Sequence, residues 1–420
     1  MEKSFRMELA GRSLIVETGK MAKQASGAVL VRYGETVVLV TSTASKEARE
    51  GMDFFPLTVD YEEKMYAVGK MPGGFLRREG RPGNSAILNA RLIDRPIRPL
   101  FDKRCRNDIH VMATVLSVDY DNAPELCGML GASASLGISD IPWDGPIAGV
   151  RVGRVDGKFV INPTQEQLKV STLNITVAGS ETAILMVEGG AQEAPEEDVL
   201  DAIMFGHETI KELVAFQKKI IEEVGKPKRT LIFPEIPEEI KTAIYAYAER
   251  PLKEAIFNPD KLTREAHMEE VRKEAEAHFK EIYPENGSDI AECLNHLTKE
   301  IVRHMISVDK IRPDGRALDE IRPISCEVGL LPRVHGSALF TRGQTQALTI
   351  TTLAPMSETQ IIDDLTQETE KRYIHQYNFP SYSVGETKSS RGPGRREIGH
   401  GALAERALIP VIPTVEEFPC

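Results

Sequence analysis

The sequence predicts an α+β protein built from two copies of one domain with a helical segment between them. Three observations lead to this prediction. The chain contains a long internal repeat, and its middle is rich in Ala, Glu, Lys and Leu. Within the first copy, β-branched runs bounded by glycine give way to segments whose apolar residues have helical spacing. Strands followed by helices in this way are typical of the α+β class.

The internal repeat preserves the order of its matching segments. AVLVRYGETVVLVTS after Gly19 matches ALFTRGQTQALTITT after Gly329, at an offset of about 309 residues. Chance is an unlikely source of several matches in one order, so we interpret the repeat as a domain duplication. The further matches are Val68-Gly69 with Val384-Gly385, Arg77-Arg78-Glu79 with Arg395-Arg396-Glu397, and Ala90-Arg91 with Glu405-Arg406.

Local patterns assign elements to each copy. The β-branched runs 28–43 and 347–352 are predicted strands of a sheet. A helical stretch of the second copy is predicted to start near Gly401. The predicted helices of the first copy are 85–92, 123–136 and 196–224.

Glycine and proline mark the limits of the central segment. A breaker-rich linker runs to Pro237, after which 238–310 has the composition of an all-helical spacer. The second copy has no equivalent of about 107–225, so we expect it to be incomplete, with exposed strand edges and half a core. The predicted domains are 1–225, 226–308 (all helical) and 309–420 (incomplete).

Composition limits the functional class. With 41% hydrophobic and 27% charged residues and no apolar run near 18 residues, a transmembrane span is not expected. The N-terminus has mixed charge and lacks the apolar stretch of a secretory signal, which favours a cytoplasmic location. The five cysteines form no C-x-x-C pair, so neither zinc nor a redox disulfide is expected.

Charge is distributed unevenly along the chain. The formal net charge is −11, which argues against a uniformly basic surface. Between Lys70 and Arg106, however, ten basic residues face three acidic ones, a local charge of +7. The sequence therefore predicts a basic region within an acidic protein.

The segment GGFLRREGRP within that region combines glycines, an aromatic residue and three arginines on a predicted surface loop. Arg77 and Arg78 could grip phosphate oxygens through their guanidinium forks, and Phe75 could stack on a base. The alternative is a solvated arginine loop that Phe75 anchors to the core. Local composition leaves both interpretations open.

Three further arginines follow at helical spacing. Arg91 and Arg95 fall on one face of a predicted helical turn, with Arg98 beyond its end. An ion pair between Asp94 and Arg91 or Arg98 would account for one of them but not for all three. We therefore favour anion binding at this segment.

The second copy presents adjacent arginines where a loop meets a predicted helix. Arg395 and Arg396 follow a Gly-Pro-Gly segment, and such junctions also offer backbone N–H groups to an anion. His400 alone is more often a structural histidine, so we give it a supporting role. Arg316, in an Arg-Pro-Asp-Gly-Arg segment, has low local specificity because Asp-Gly is a turn dipeptide. Signatures of P-loop, dinucleotide, serine-hydrolase and zinc-protease sites are absent from the sequence.

The segments FFPLTV, GRPGNSAILNARLIDRPIRPLF, HGSALFTRGQTQAL, YNFPSYSVGE and RREIGHG resemble bacterial polynucleotide phosphorylases along the whole chain. The resemblance implies two ribonuclease PH-like domains, the second truncated, joined by an all-helical domain. It also implies a homotrimer that binds single-stranded RNA, RNA-degrading complexes as further partners, and no membrane association. The implied activity is mRNA degradation by processive 3′-to-5′ phosphorolysis, in which inorganic phosphate releases nucleoside 5′-diphosphates with Mg²⁺.

The resemblance also assigns roles to residues. Phe75, Arg77 and Arg78 match the family's RNA-channel loop, although Leu76 replaces a second phenylalanine. The family's metal ligands and phosphate-binding serines are expected beyond Cys420, so none is assigned in this chain. The remaining matches are Arg91, Arg95, Arg98 and Arg316 for RNA binding, and Arg395, Arg396 and His400 for the catalytic site.

Two other functions compete with the phosphorolytic one. The arginines could belong to a catalytically inactive RNA-binding scaffold subunit, which binds phosphates and cleaves nothing. A hydrolytic ring nuclease of related fold would release monophosphates without needing phosphate. A phosphate requirement separates the latter from the phosphorolytic enzyme.

Overall fold

The computed structural model describes residues 2–48, 54–231, 235–366, 369–389 and 392–420. The chain forms two compact units, one of Met1–Ile232 with Ala354–Cys420 and one of Phe233–Leu353. The second copy of the repeat is thus divided between them. No helix in the described parts of the chain is long and apolar enough to cross a membrane.

A six-stranded sheet opens the first unit. Its order is β1-β2-β3-β4-β6-β5; β5 runs parallel to β6, and the other neighbours are antiparallel. Strands β3 and β4 confirm the predicted β-branched run, and buried residues alternate with partly buried ones along the first seven residues of β4. The strands are β1 (Lys3–Leu9), β2 (Arg12–Thr18), β3 (Gly27–Tyr33), β4 (Thr36–Ala48), β5 (Leu57–Glu62) and β6 (Asn107–Ser117).

Two helices cover this sheet. Helix α1 (Asn84–Ile97) packs on β5, and α2 (Pro124–Ile138) packs on β3 and β4. Small residues of α2 let it approach closely: a Cβ on Gly131 would lie 2.4 Å from Val40. These helices confirm two predicted ones, with ends within a few residues for α2 and longer by five residues at the C-terminus for α1.

A second sheet completes the first copy. Its order is β10-β9-β7-β8, and α4 packs across it, with buried Gln217 donating from Nε2 to the Ile147 carbonyl at 2.7 Å. Helix α4 has the predicted bounds. The elements are β7 (Ala148–Val155), β8 (Lys158–Ile161), α3 (Gln165–Val170), β9 (Leu173–Gly179), β10 (Ile184–Ala191) and α4 (Glu196–Val224).

The second unit begins with three helices in the predicted spacer: α5 (Glu238–Ile256), α6 (Lys261–Ile282) and α7 (Gly287–Ser307). They share a core that includes Ile244, Leu252, Phe279 and Leu294. A three-stranded antiparallel sheet follows in the chain, made of β11 (Ile324–Val328), β12 (Gly336–Arg342) and β13 (Thr345–Thr351).

The rest of the second copy belongs to the first unit. It contains the hairpin β14 (Gln360–Ile362) with β15 (Thr369–Lys371) and helix α8 (Arg395–Leu408). Helix α8 begins at Arg395, so the predicted start near Gly401 is wrong by six residues. Gly401, near which the helix is predicted to start, lies buried inside it together with Gly399.

Helices α1 and α8 correct the alignment of the two copies. Each has 14 residues, follows a glycine N-cap and leads into a 3₁₀ turn. Matching their first residues pairs Asn84 with Arg395 and Arg95 with Arg406. The predicted alignment of Arg77-Arg78 with Arg395-Arg396 is therefore wrong, because Arg77 lies before α1 in the preceding loop.

Candidate nucleic-acid interface

Helices α1 and α8 pack against each other and bring the arginines of both copies to one surface, which we call the arginine interface. It comprises α1, α8 and the adjoining edge of β5, β6 and β10. Gly399 makes the packing possible, because a Cβ there would lie 2.4 Å from Nε of Arg91. Gly401 likewise leaves room for Tyr377, because a Cβ added at Gly401 would lie 3.3 Å from the Cβ of Tyr377. Gly399 thus lets α8 approach α1 closely at Arg91.

Arg395 is bound to the first sheet. Its Nη1 donates to the Val59 carbonyl at 2.7 Å, and its Nη2 pairs with the Asp60 carboxylate. Nε2 of His110 lies 2.9 Å from the second oxygen of Asp60. Burial acts to raise the pKa of the Asp60 carboxyl, but the hydrogen bonds from Arg395 and His110 outweigh it, so its pKa lies below the ordinary value.

Arg95 and Arg406, which occupy equivalent positions of α1 and α8, share one carboxylate. Glu188 of β10 accepts from Nη1 of Arg95 at 2.6 Å and from Nη2 of Arg406 at 3.2 Å. The stem of Arg406 also lies over Gly190. Glu188 therefore links both helices to the edge of the second sheet.

Arg98, at the C-cap of α1, is held by the last turn of that helix and by β5. Its Nε and Nη2 donate to the two carboxylate oxygens of Asp94 at 2.8 and 2.9 Å, and Nη2 also donates to the Leu57 carbonyl. The ion pair proposed as the alternative to anion binding is thus present for this arginine, as expected for one of the three.

Arg91 and Arg396 keep their charges uncommitted. Among the described residues, neither makes an ion pair or a side-chain hydrogen bond, although Arg396 lies 5.8 Å over the ring of Phe379. His400 stacks edge-on against Tyr377, with ring centroids 4.7 Å apart. The arginine interface therefore combines two available guanidinium groups, those of Arg91 and Arg396, with four that are already paired.

The arginine loop, residues 71–81, projects from the same unit. A turn closed by the Arg77 N–H on the Gly74 carbonyl, at 2.9 Å, places Phe75 and Leu76 at its tip. Phe75 is 99% exposed and Leu76 82% exposed, so Phe75 does not anchor the loop to the core. Arg77 has φ +49°, in the left-handed region. Its side chain and that of Arg78 have no partner among the residues described.

Arg316 lies in the second unit and is held by its own turn. Its Nε is 3.0 Å from Asp314, and its Nη1 donates to the Glu320 carbonyl at 2.6 Å. Gly315 has φ +81°, as the Asp-Gly turn predicts. The side chain of Arg316 is 13% exposed, so it is less solvated than the turn alternative assumed.

Three carboxylates near the arginines escape sequence analysis: Asp60, Glu188 and Glu63. Glu63 accepts from the Ser85 hydroxyl at 2.9 Å, and burial raises its pKa to about 7, with Asp364 and Glu125 adding to the effect. Alternation along β5 shows only which residues share a face. The hydrogen-bond partners of these carboxylates lie up to 335 residues away in the sequence, so no local sequence pattern identifies the carboxylates.

The described acidic groups do not fit a divalent metal. No cluster of three or more His, Cys, Asp or Glu side chains suited to an ion occurs in the ranges described. Asp60 and Glu188 are each committed to arginines, so neither carboxylate is available as a metal ligand in this arrangement. No chemical step in this chain is therefore assigned to a metal.

Comparison with known proteins connects this geometry to a family. The profile of the 3′ exoribonuclease family, domain 1, matches residues 10–142 and 320–420, and that of domain 2 matches 145–209. The profile described as polyribonucleotide nucleotidyltransferase, RNA binding domain, matches 239–317. The first profile thus finds both copies of the repeat.

Curated relatives match almost the whole chain. The polyribonucleotide nucleotidyltransferase of Heliobacterium modesticaldum is 61% identical over 415 residues, 99% of this chain and 58% of that protein. That of Syntrophomonas wolfei is 60% identical over 417 residues, 99% of this chain and 59% of that protein. The chain therefore spans less than two thirds of their length. Among solved structures, rice Rrp46 is 14% identical with a TM-score of 0.40, covering 53% of this chain and 94% of that one.

The profile matches at both ends of the chain agree with two ribonuclease PH-like segments flanking a helical one. The resemblance found in the sequence motifs is confirmed by identities of 55–61% to polyribonucleotide nucleotidyltransferases. With both copies of its repeat matched by one family profile, the chain belongs to the 3′ exoribonuclease family.

Proposed function

We propose that this chain provides the RNA-guiding part of a polyribonucleotide nucleotidyltransferase that degrades mRNA by processive 3′-to-5′ phosphorolysis. The whole protein would use inorganic phosphate to release nucleoside 5′-diphosphates from single-stranded RNA. One observation carries the proposal: α1 and α8 bring arginines of both copies onto one surface, where Arg91 and Arg396 remain uncommitted. Crowded anions require such a surface.

The proposed roles follow from how each side chain is held. Arg91 and Arg396 would contact phosphates near the RNA 3′ end directly, because no carboxylate in the described ranges pairs with them. Arg95 and Arg98 would contribute positive potential while Glu188 and Asp94 hold them in place. Arg395 would exchange Asp60 for a phosphate, and His400 would support α8 against Tyr377.

The arginine loop supplies the second part of the proposal. Its tip presents Phe75 to solvent with Arg77 and Arg78 beside it. Stacking on an exposed ring together with phosphate contacts is the usual means of holding single strands without sequence preference. Arg316 is proposed to lie along the RNA path in the second unit, acting from a rigid turn.

Several expectations belong to the whole protein and remain part of the proposal. They are a homotrimer, a cytoplasmic location, further RNA-degrading partners, and Mg²⁺ with inorganic phosphate at residues outside this chain. We also propose the domain limits 1–225, 226–308 and 309–420.

A second candidate function is an inactive RNA-binding scaffold. The commitment of Asp60 and Glu188 to arginines favours it for this chain on its own. Both functions predict RNA binding. They differ in whether phosphate releases products from RNA when this chain is extended by the further region that its relatives contain.

The test pairs this chain with a chimera in which the region beyond it comes from the Heliobacterium modesticaldum relative. Nucleoside diphosphate release from poly(A) is followed with phosphate and Mg²⁺, and again without phosphate. Phosphate-dependent release by the chimera supports the proposal. RNA binding by both proteins with no release supports the scaffold, and monophosphate release without phosphate supports hydrolysis.

Arg91→Ala measures the role of the arginine interface. We expect RNA binding to weaken about threefold to tenfold and the dependence on log salt concentration to fall by about one. Arg104→Ala is the matched control, since Arg104 is paired with Asp102. Equal losses of RNA affinity in the two variants would mean that only net charge matters, which would contradict the role proposed for Arg91.

A further inference from the structure

The arginine loop is closed at its base by two hydrogen bonds between its flanks. Oε1 of Glu79 accepts from the backbone N–H of Met65 at 2.8 Å. Six residues further on, the Ser85 hydroxyl donates to Glu63 at 2.9 Å. Residues 63–65 are thus connected to 79–85, and the intervening segment projects as a compact loop whose ends lie together.

The flank that Glu79 binds is itself fixed to the sheet. Met65 is the first residue of a 3₁₀ turn, Met65–Val68. The side chain of Lys64, the N-cap residue, makes no capping hydrogen bond to this turn. The turn contains buried Ala67, whose carbonyl accepts from the Val118 N–H at 3.0 Å, just past the end of β6. Glu79 therefore caps an element that cannot move independently of the first sheet.

Packing contributes little to holding the loop itself. An added Cβ at Gly73, Gly74, Gly80 or Gly83 would meet no atom within 4 Å. Phe75 and Leu76 are almost fully exposed, as described above. Because glycine-rich segments have many accessible conformations, a loop with so few contacts depends on its hydrogen bonds for its orientation.

We propose that Glu79 is a positioning residue that sets RNA affinity by holding the arginine loop in its projecting orientation. This inference rests on the proposed function of the loop. Glu79 lies beside Arg78 in sequence yet directs its carboxylate to the Met65 N–H, so it orients the loop instead of neutralising it. The bond fixes where Phe75 and Arg77 meet a single strand, and thereby lowers the entropy lost on binding.

Charge alone predicts the opposite effect of removing Glu79. Loss of a carboxylate makes the loop more positive and would strengthen RNA binding. Loss of a positioning bond weakens it. The direction of the change therefore separates the two explanations.

The variants are Glu79→Ala, Glu79→Gln and Glu166→Ala. Both changes at position 79 remove one negative charge, but glutamine keeps an oxygen that can accept from Met65. Glu166 is a control for charge, exposed on α3 and paired with Lys169. We expect Glu79→Ala to weaken binding of a fluorescein-labelled 20-nucleotide oligo(A) about fivefold, and Glu79→Gln and Glu166→Ala to change it by less than about twofold.

Met65→Pro removes the donor and keeps Glu79. Proline is tolerated at the first position of a helical turn, and Lys64 already has the extended conformation (φ −113°, ψ 120°) that precedes proline. We expect the same loss of affinity as for Glu79→Ala, and no further loss in the double variant. This variant carries the test if Glu79→Ala does not fold.

Chymotrypsin cleavage after the exposed residues Phe75 and Leu76, followed by mass spectrometry without RNA, reports loop restraint directly. We expect faster cleavage in Glu79→Ala and Met65→Pro and the wild-type rate in Glu79→Gln. Unchanged cleavage with unchanged or tighter RNA binding in Glu79→Ala would overturn the inference. Failure of the wild-type chain itself to bind the oligonucleotide would overturn the proposed function, and the cleavage rates would then decide on the restraint alone.

Discussion

The hairpin β3–β4 of the first copy and the hairpin β12–β13 of the second have matching sequences and different environments. In the first, Val31 and Val40 are fully buried beneath α2. In the second, β13 is exposed along its whole length among the described residues, and Phe340, at the position of Val31, is 42% exposed. The apolar pattern specifies which face of a sheet can be buried. Whether that face is buried depends on another element, such as α2, packing on it.

The glycines that open β3 and β12 give the largest expected effect. A Cβ on Gly27 would lie 2.0 Å from the Ser135 carbonyl oxygen of α2, whereas one on Gly336 would meet only Thr351, at 3.4 Å. We expect Gly27→Ala to lower the free energy of unfolding by about 3 kcal/mol or more, because the α2 backbone must shift. Gly336→Ala should change it by less than about 0.5 kcal/mol.

Urea unfolding of the two glycine variants, followed by far-UV circular dichroism, measures this difference. Each variant is the control for the other, since both add one methyl group at equivalent strand positions. Equal destabilisation would mean that β12 is covered as closely as β3, and the contrast between the copies would be lost.

The two copies of the repeat also differ in the contact that each makes near the start of its helix, α1 in the first copy and α8 in the second. In the first copy Ser85 donates to Glu63. When the 3₁₀ turns Met65–Val68 and Ser381–Val384 are aligned, Phe379 takes the position of Glu63. When the starts of α1 and α8 are aligned, Arg396 takes the position of Ser85. There Arg396 lies over the Phe379 ring. The two copies keep the contact and change its chemistry from a hydrogen bond to a cation–π interaction.

Glu63→Gln tests the first of these contacts through pH. Because burial raises the pKa of Glu63 from its ordinary 4.5 to about 7, the folded protein holds more protons than the unfolded chain between these values. Stability should therefore fall as the pH rises from 4.5 to 7. We expect Glu63→Gln to raise the free energy of unfolding by about 2 kcal/mol at pH 8 and hardly at all at pH 5.

The measurement is urea unfolding of wild type and Glu63→Gln at pH 5, 6, 7 and 8. Glu166→Gln, at an exposed glutamate, serves as the control and should leave the pH profile unchanged. A gain that is the same at pH 5 and pH 8 would show that ionisation of Glu63 is not its source.

The sequence predicts the repeat, the helical spacer and the basic region, because periodicity and turn residues act over short distances. It also offers, as the alternative to anion binding, the ion pair between Asp94 and Arg98 that the structure contains, at the spacing of one helical turn. It does not predict the partners of Arg95 and Arg395. Glu188 and Asp60 lie on strands 93 and 335 residues away, and only tertiary packing brings them close.

Glu188→Gln tests whether the equivalence of Arg95 and Arg406 has energetic weight. All three side chains are partly exposed, so solvent screens the pairs and the expected loss is about 1 kcal/mol. The loss should shrink in 1 M salt. Asp198→Asn, which removes the charge from the single pair with Arg154, is the comparison. A Glu188 effect that persists at high salt would indicate packing at Gly190 instead of charge.

Phe379→Leu has the smallest expected effect and bears most directly on the substitution between copies. Leucine keeps most of the apolar contact and removes the ring face beneath Arg396. We expect a loss of about 0.5 kcal/mol in the free energy of unfolding, the size of an exposed cation–π contact. In Arg396→Met the same change at Phe379 should cost less, since the cation is already gone. If the loss is equal in both backgrounds, the contact in the second copy is hydrophobic, and the first copy's hydrogen bond has no polar counterpart there.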